Sequence, residues 1–276
     1  MLNGMMQPRS SASMLEKIVF GPINAMLAFL IEKTRFSKKI FDLYGRILPI
    51  PQQIVRGVPI KVIMPLNQVG VYNTFKDWEE REPEILDWID RFKPGCTFFD
   101  VGASFGTETL YAALKDDGPA KIVAFDLNLE SSFSLAYNIS INDIQKVDQY
   151  YLALSNNFGL HSFQEPSQYH FVKGRKKYDM VSYHTLSISL DQFVRMTQLF
   201  PDYIKIDVDG AEENLVLGMA ETVQNPQLRS VAIEVSDQSE PAITSFFKNA
   251  GFMVEFERIW TEEGGSGFKN IIFIRK

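Results

Sequence analysis

Apolar positions recur with different periods in different parts of the chain, and each period predicts a different kind of element. From Met14 to Tyr44, Leu15, Ile18, Val19, Ile23, Met26, Leu27, Leu30 and Ile31 fall at spacings of three and four, a helical pattern that Gly21-Pro22 divides into two helices. From Ile54 to Met64 the period shortens to two around Gly57-Val58-Pro59, which predicts a hairpin forming an edge ribbon. Pro83, with acids on both sides, predicts a helix start that runs into Ile85, Leu86, Trp88, Ile89 and Phe92. Lys93-Pro94-Gly95 ends that helix.

Beyond Cys96 short apolar runs alternate with helical segments. The strands are expected at Thr97–Val101, Lys121–Asp126, Val147–Leu154, Tyr203–Val208, Ser230–Val235, Phe252–Ile259 and Phe268–Arg275. Helices are expected at Thr107–Leu114, Leu129–Ile141, Glu212–Met219 and Pro241–Ala250. Such alternation implies a parallel sheet covered on both faces. The last two strands are joined by Thr261-Glu262-Glu263-Gly264-Gly265-Ser266-Gly267, too short for a crossover helix, so they must pair antiparallel. Phe158 to Phe171 reads as a short hairpin or loop inserted after the third strand. The resulting α/β organisation has a helical extension over residues 1–50, its first 13 or so residues disordered. A ribbon and helix follow over 51–95, and a Rossmann-like core over 96–276.

Composition narrows the chemistry. With 28 basic and 34 acidic residues the formal net charge is −6, which argues against a nucleic-acid backbone as partner, since phosphate binding needs a surplus of Lys and Arg. The densest basic run, Lys173-Gly174-Arg175-Lys176-Lys177, reads as a solvated loop. A single cysteine, Cys96, excludes internal disulfides and a Cys-based zinc site and reads as a small packed residue. Ile23 to Ile31 is far shorter than the ~20 apolar residues that span a bilayer, so the chain is placed in the cytoplasm. The N-terminal helices are read as packing on the core or on a second subunit. Their alternative is peripheral membrane contact, with Lys33, Arg35, Lys38 and Lys39 toward anionic lipid.

The residues that point to chemistry cluster at strand ends. Asp100-x-Gly102-x-x-x-Gly106 is a strand running into a tight turn and a helix start, and Asp126 closes the next strand twenty residues after Gly106. An acid at that second position can accept both hydroxyls of a ribose, which suggests an adenosine-containing cofactor. The glycine spacing departs from the Gly-x-Gly-x-x-Gly fingerprint that receives a pyrophosphate. An acid ahead of the first glycine suits an amino group, which S-adenosylmethionine has. Lys205, Asp207, Asp209 and Glu212 close the fourth strand, and acids buried in an apolar strand are costly unless paired or used. Asp207, Asp209 and Glu212 could also present oxygen ligands to Mg²⁺. His184 and Glu234 are candidate bases for a hydroxyl acceptor.

Phe99–Gly106, Ala124–Asn128, the Asn138 and Asn142 pair and Ile204–Glu212 together resemble the FkbM family of S-adenosylmethionine-dependent methyltransferases. Trp78-Glu79-Glu80-Arg81-Glu82 also resembles the segment ahead of the first strand in that family, and the likeness runs from about Ile54 to Ile259. The resemblance implies the methyltransferase variant of the doubly wound fold, and S-adenosylmethionine as cofactor. It also implies a small-molecule or saccharide acceptor, typically a sugar, glycan or polyketide-type natural product. Asp100, Gly102, Ala103 and Gly106 would then hold the methionine end, and Asp126, Leu127 and Asn128 the ribose. Leu154 would lie near the adenine ring, and Asp207, Asp209, Glu212 and His184 on the catalytic side. The family's usual acid after the second strand is Glu in Glu-Pro-Asn; here Asp126-Leu127-Asn128 stands in its place, one methylene shorter. Two other readings remain: a non-catalytic module that keeps this fold, and an NAD-type oxidoreductase, against which the missing dinucleotide fingerprint weighs.

Overall fold

The computed structural model describes residues 52–63, 75, 77–166, 180–261 and 267–276. Its centre is β3 (Thr97–Val101), whose alternate residues are buried in opposite directions as a strand covered on both faces requires. Phe99 and Val101 enter one apolar layer with Phe125, Ile204, Ile206 and Phe247. Phe98 enters the other with Trp88, Ile89, Leu110, Ile122 and Tyr203.

Around β3 lie β4 (Lys121–Asp126), β5 (Val147–Tyr151), β9 (Tyr203–Ile206), β10 (Ser230–Ser236), β11 (Phe252–Thr261) and β12 (Gly267–Arg275). The seven-stranded sheet has the order β11-β12-β10-β9-β3-β4-β5. β3, β4, β5, β9 and β10 run parallel, and β12 is antiparallel to both β10 and β11. This is the mostly parallel Rossmann-like sheet with an antiparallel C-terminal hairpin that the pattern predicts. Helices α1 (Trp78–Arg81), α2 (Pro83–Asp90), α3 (Thr107–Leu114) and α4 (Leu129–Ile141) precede the insertion, and α3 and α4 match their predicted bounds.

The N-terminal ribbon is β1 (Gln52–Val55) paired antiparallel with β2 (Val58–Lys61) about Arg56-Gly57. Asn138 of α4 and its C-cap Asn142 fasten it. Asn142 accepts the Lys61 N–H at 2.9 Å and donates to the Lys61 carbonyl at 2.7 Å. Asn138, fully buried, accepts the Ile63 N–H at 2.7 Å and donates to the Phe105 carbonyl at 3.1 Å. The pair that carried part of the family resemblance is thus a structural clamp.

The predicted third strand, Val147–Leu154, is two strands. β5 stops at Tyr151, and β6 (Ala153–Leu154) joins a separate three-stranded sheet of order β6-β8-β7 with β7 (Gly159–Pro166) and β8 (Met180–Ile188). β7 and β8 are the inserted hairpin, longer than expected. Helix α5 (Leu190–Thr197) is additional to the expected helices, and Ser189 and Gln192 form a reciprocal capping box at its start. α6 (Glu212–Leu217) and α7 (Glu240–Asn249) complete the core. The N-terminal helices with their lipid-facing alternative, the run 173–177 and residues 262–266 lie outside the described residues. Among the described residues no helix is long and apolar enough to cross a membrane.

Candidate active site

At the carboxyl end of the sheet, one face carries a row of polar side chains where apolar ones would ordinarily continue. Asp100 on β3 is the register partner of Lys205 on β9, Lys205 is the partner of Ala232 on β10, and Glu234 lies two residues further along β10 beside Asn270 of β12. Strand alternation turns Asp100, Lys205, Glu234 and Asn270 to the face that also receives Phe98, Tyr203, Ala232 and Ile272, toward α2 and α3. A small cavity of about 60 Å³ opens there, walled by Trp78, Arg81, Glu82, Gly102, Ser104, Thr107, Glu108, Lys205 and Asp207 among others.

Lys205 is the hub. Its Nζ lies 3.2 Å from Asp207 Oδ2 and 3.5 Å from Glu108 Oε2, with only 4% of the residue exposed. Burial opposes its charge, but Glu108, Asp207, Asp100 and Glu82 outweigh that and hold it well above an ordinary lysine. In return, Lys205 and the Thr107 hydroxyl overcome burial at Glu108 and keep that carboxyl ionised below its usual range. Asp100 is the opposite case. Fully buried, it is pushed up to about 7 by burial and by Glu108 and Asp207, against the opposing pull of Lys205 and Thr109. Thr109 Oγ1 donates to Asp100 Oδ2 at 2.6 Å, while Oδ1 is buried without a partner. An orphaned buried acceptor beside a cleft fits a ligand ammonium.

The turn after β3 is held tightly. The Gly102 and Ala103 N–H groups both donate to the Phe125 carbonyl. Gly102 has φ 80°, and a Cβ there would meet the Asp207 carbonyl oxygen at 1.6 Å, so the close approach that demands glycine is made by the chain's own backbone. Gly106 has φ 95° and a Cβ there would strike Leu135 at 2.4 Å. Ala103 is fully buried with Ala124 and Leu135, inside the turn. Asp126 accepts the Ser104 N–H at 2.7 Å and the Asn128 N–H at 2.6 Å, one at each oxygen. Both oxygens are thus aimed by backbone donors at the end of β4, the position of an acid that accepts ribose hydroxyls. Asn128 caps α4 through the Ser131 N–H, Leu127 is half-buried beside it, and Leu154 packs into the core with Phe125 and Phe193.

On the acceptor side the groupings differ from those predicted. β9 ends at Ile206, so Asp207 and Asp209 stand in the following turn, where Asp209 has φ 49° and Gly210 φ 101°. Glu212 is buried and accepts the Gly210 N–H at 2.8 Å, closing that turn. The third acid that joins Asp207 and Asp209 is Glu234: oxygens of these three all lie within 4.8 Å of one another, close enough to hold a metal ion. Burial, with Asp207, Glu82 and Asp209 nearby and Lys205 opposing, pushes Glu234 up to about 8. His184 is exposed on β8 with Nδ1 2.9 Å from Ser162 Oγ, and is not among the residues walling the cavity.

Trp78, Arg81, Glu82, Glu84 and Asn270 join the site without a local signal that marks them as site residues. Asn270 Nδ2 donates to Glu82 Oε1 at 3.0 Å and to Glu84 Oε1 at 2.8 Å, tying the segment before β3 to the last strand, β12. Glu82, held up by burial and by Glu108, walls the cavity from that side. No local pattern reveals these contacts, which join residues about 190 positions apart.

The strand order and the glycine turn with its acids define a Rossmann-like methyltransferase. Residues 100–254, more than half of the chain, match the methyltransferase FkbM domain model, and the chain belongs to that family. Solved structures similar to it include a methyltransferase FkbM from Methylobacillus flagellatus KT, at 14% identity and TM-score 0.45, covering 66% of this chain and 44% of that one. Another is precorrin-6y C5,15-methyltransferase from Geobacter metallireducens GS-15, at 13% identity and TM-score 0.45, covering 71% and 87% respectively. A ribosomal protein L11 methylase from Lactobacillus delbrueckii subsp. bulgaricus has 14% identity and TM-score 0.44, with 70% and 77% covered. No curated protein matches the chain.

Proposed function

We propose that the chain is an S-adenosylmethionine-dependent O-methyltransferase acting in the cytoplasm on a hydroxyl of a sugar, glycan or natural-product-type small molecule. The observation that carries this reading is the strand row Asp100, Lys205 and Glu234, joined by Asp207 from the turn after β9, beside the glycine turn of a methyltransferase-family chain. The residues fit the cofactor. The unpartnered Asp100 Oδ1 suits its ammonium and the backbone-aimed Asp126 its ribose.

When bound, the cofactor supplies an electrophilic methyl group on a sulfonium. The chain's own task is to align the acceptor oxygen, exclude water and take one proton. Lys205 is already neutralised by Glu108 and Asp207, so the acids beyond it leave the acceptor side negative, which favours a cationic centre and opposes an acidic acceptor. Glu234 takes the hydroxyl proton in this reading, being a stronger base than an ordinary carboxylate once ionised. Asp207 and Asp209 stand beside it, and with Glu234 they are the set that would receive a divalent ion.

Titration calorimetry with S-adenosylmethionine, S-adenosylhomocysteine and NAD tests the cofactor assignment: the first two bind and NAD does not. Absence of binding by both sulfur nucleosides ends this reading. A panel of saccharide and small hydroxyl acceptors, read by methyl incorporation, then identifies the acceptor class.

A further inference from the structure

We propose that Trp78 and Arg81, both outside the matched family segment, form a carboxylate-binding subsite that holds the α-carboxylate of the cofactor's amino-acid end. This subsite depends on the cofactor reading given above and assigns residues to the half of the amino-acid end that Asp100 does not serve. Trp78 and Arg81 wall the same cavity as Gly102, Ser104 and Thr107 of the glycine turn. Trp78 is 5% exposed, and its indole Nε1–H is buried without an acceptor. Buried donors are nearly always paired, so an orphan on a residue that walls the cavity points to a ligand acceptor. On the sheet side, Asp100, the register partner of the cavity residue Lys205, holds the complementary orphan, an acceptor without a donor. A donor lacking an acceptor and an acceptor lacking a donor together match a zwitterion, an ammonium and a carboxylate on one carbon.

The charges agree with this division. Among the described residues that wall the cavity, Lys205 is held by Glu108 and Asp207, and Arg81, exposed on α1, adds a second positive charge that also acts on Glu108. The acids that would repel a carboxylate are muted. Lys205 compensates Glu108 and Asp207, and burial together with Glu108 raises Glu82 toward its neutral form. An indole N–H and a guanidinium beside one carboxylate give charge-assisted hydrogen bonds with a fixed direction.

The test compares two ligands that differ only at the amino-acid end. Full-length protein, Trp78→Phe and Arg81→Gln are titrated calorimetrically with S-adenosylhomocysteine and with 5′-methylthioadenosine, which keeps the nucleoside and thioether but lacks the amino acid. Each substitution is expected to weaken S-adenosylhomocysteine by about ten- to hundredfold, the scale of one hydrogen bond to a charged group, and to change 5′-methylthioadenosine by less than about twofold. Equal losses for both ligands, or no loss for either, overturn the subsite while leaving the cofactor assignment standing. Failure of the unmodified protein to bind S-adenosylhomocysteine overturns both. Arg81 is exposed and its replacement leaves the core intact, so Arg81→Gln decides the matter even if Trp78→Phe unfolds.

Discussion

Lys205 concentrates the electrostatics of the site in one residue. Replacing it by methionine strands Glu108 and Asp100 in the core without their buried cation, and removing one partner of a buried charge set costs about 3–5 kcal/mol. Lys205→Met is therefore expected to unfold at markedly lower urea concentration, and adding Glu108→Gln to recover part of the loss; an unchanged midpoint would contradict the network described. Glu234 gives a pH dependence of definite sign. Its folded-state value lies near 8, above the ordinary 4.5, so the native state binds the proton more tightly than the unfolded chain. That stability is fully present below about pH 4.5 and is lost as the pH rises through about 8. Urea titrations at pH 5 and pH 8.5 should show the unmodified protein losing more stability over that interval than Glu234→Gln. Gly102 shows how a residue's chemistry can be legible while its reason is not. The spacing marks it as a turn glycine, but the atom it makes room for is the Asp207 carbonyl oxygen, so Gly102→Val is expected to damage the fold and not only ligand binding.

At the level of elements, α3, α4, β3 and β4 were legible to the residue because each is a strongly periodic run bounded by glycine, proline or a capping group. The failures share a cause. β5 and β6 read as one strand in sequence, from Val147 to Leu154, and only the pairing of Ala153 and Leu154 with Ser187 and Ile188 assigns the second half to another sheet. The helix α5 is short and begins directly after the strand β8, so its capping box at Ser189 was hidden in what looked like a continuing irregular segment. The clamp between α4 and the ribbon offers a test. Asn138→Ala leaves the Ile63 N–H and the Phe105 carbonyl without their partner, and is expected to cost about 2–4 kcal/mol by urea unfolding, with the β1–β2 ribbon losing amide-exchange protection first.

For the molecule as a whole, the site is an assembly of distant segments. Asn270 near the end of the chain holds Glu82 and Glu84 ahead of the first core strand, and between them lies the entire matched family segment. A ligand that binds this assembled cleft and not the unfolded chain should stabilise the fold. At a hundred times its dissociation constant S-adenosylhomocysteine is expected to add about 2.7 kcal/mol, a rise of about 5–10 °C in the thermal midpoint. NAD at the same concentration should leave the midpoint in place, and an equal rise with NAD would contradict the cofactor assignment.

Sequence alone determined the alternation of strands and helices, the glycine turn, the acids at strand ends and the family. All of these are local patterns, dictated by backbone period and turn chemistry. Tertiary structure decided which acids meet. Register set Asp100 beside Lys205, the turn after β9 carried Asp209 toward Glu234 and spent Glu212 on a backbone N–H, and chain closure brought Trp78, Arg81 and Glu82 to the cavity. Those encounters depend on strand pairing and packing between residues far apart in sequence, which no window of local pattern contains.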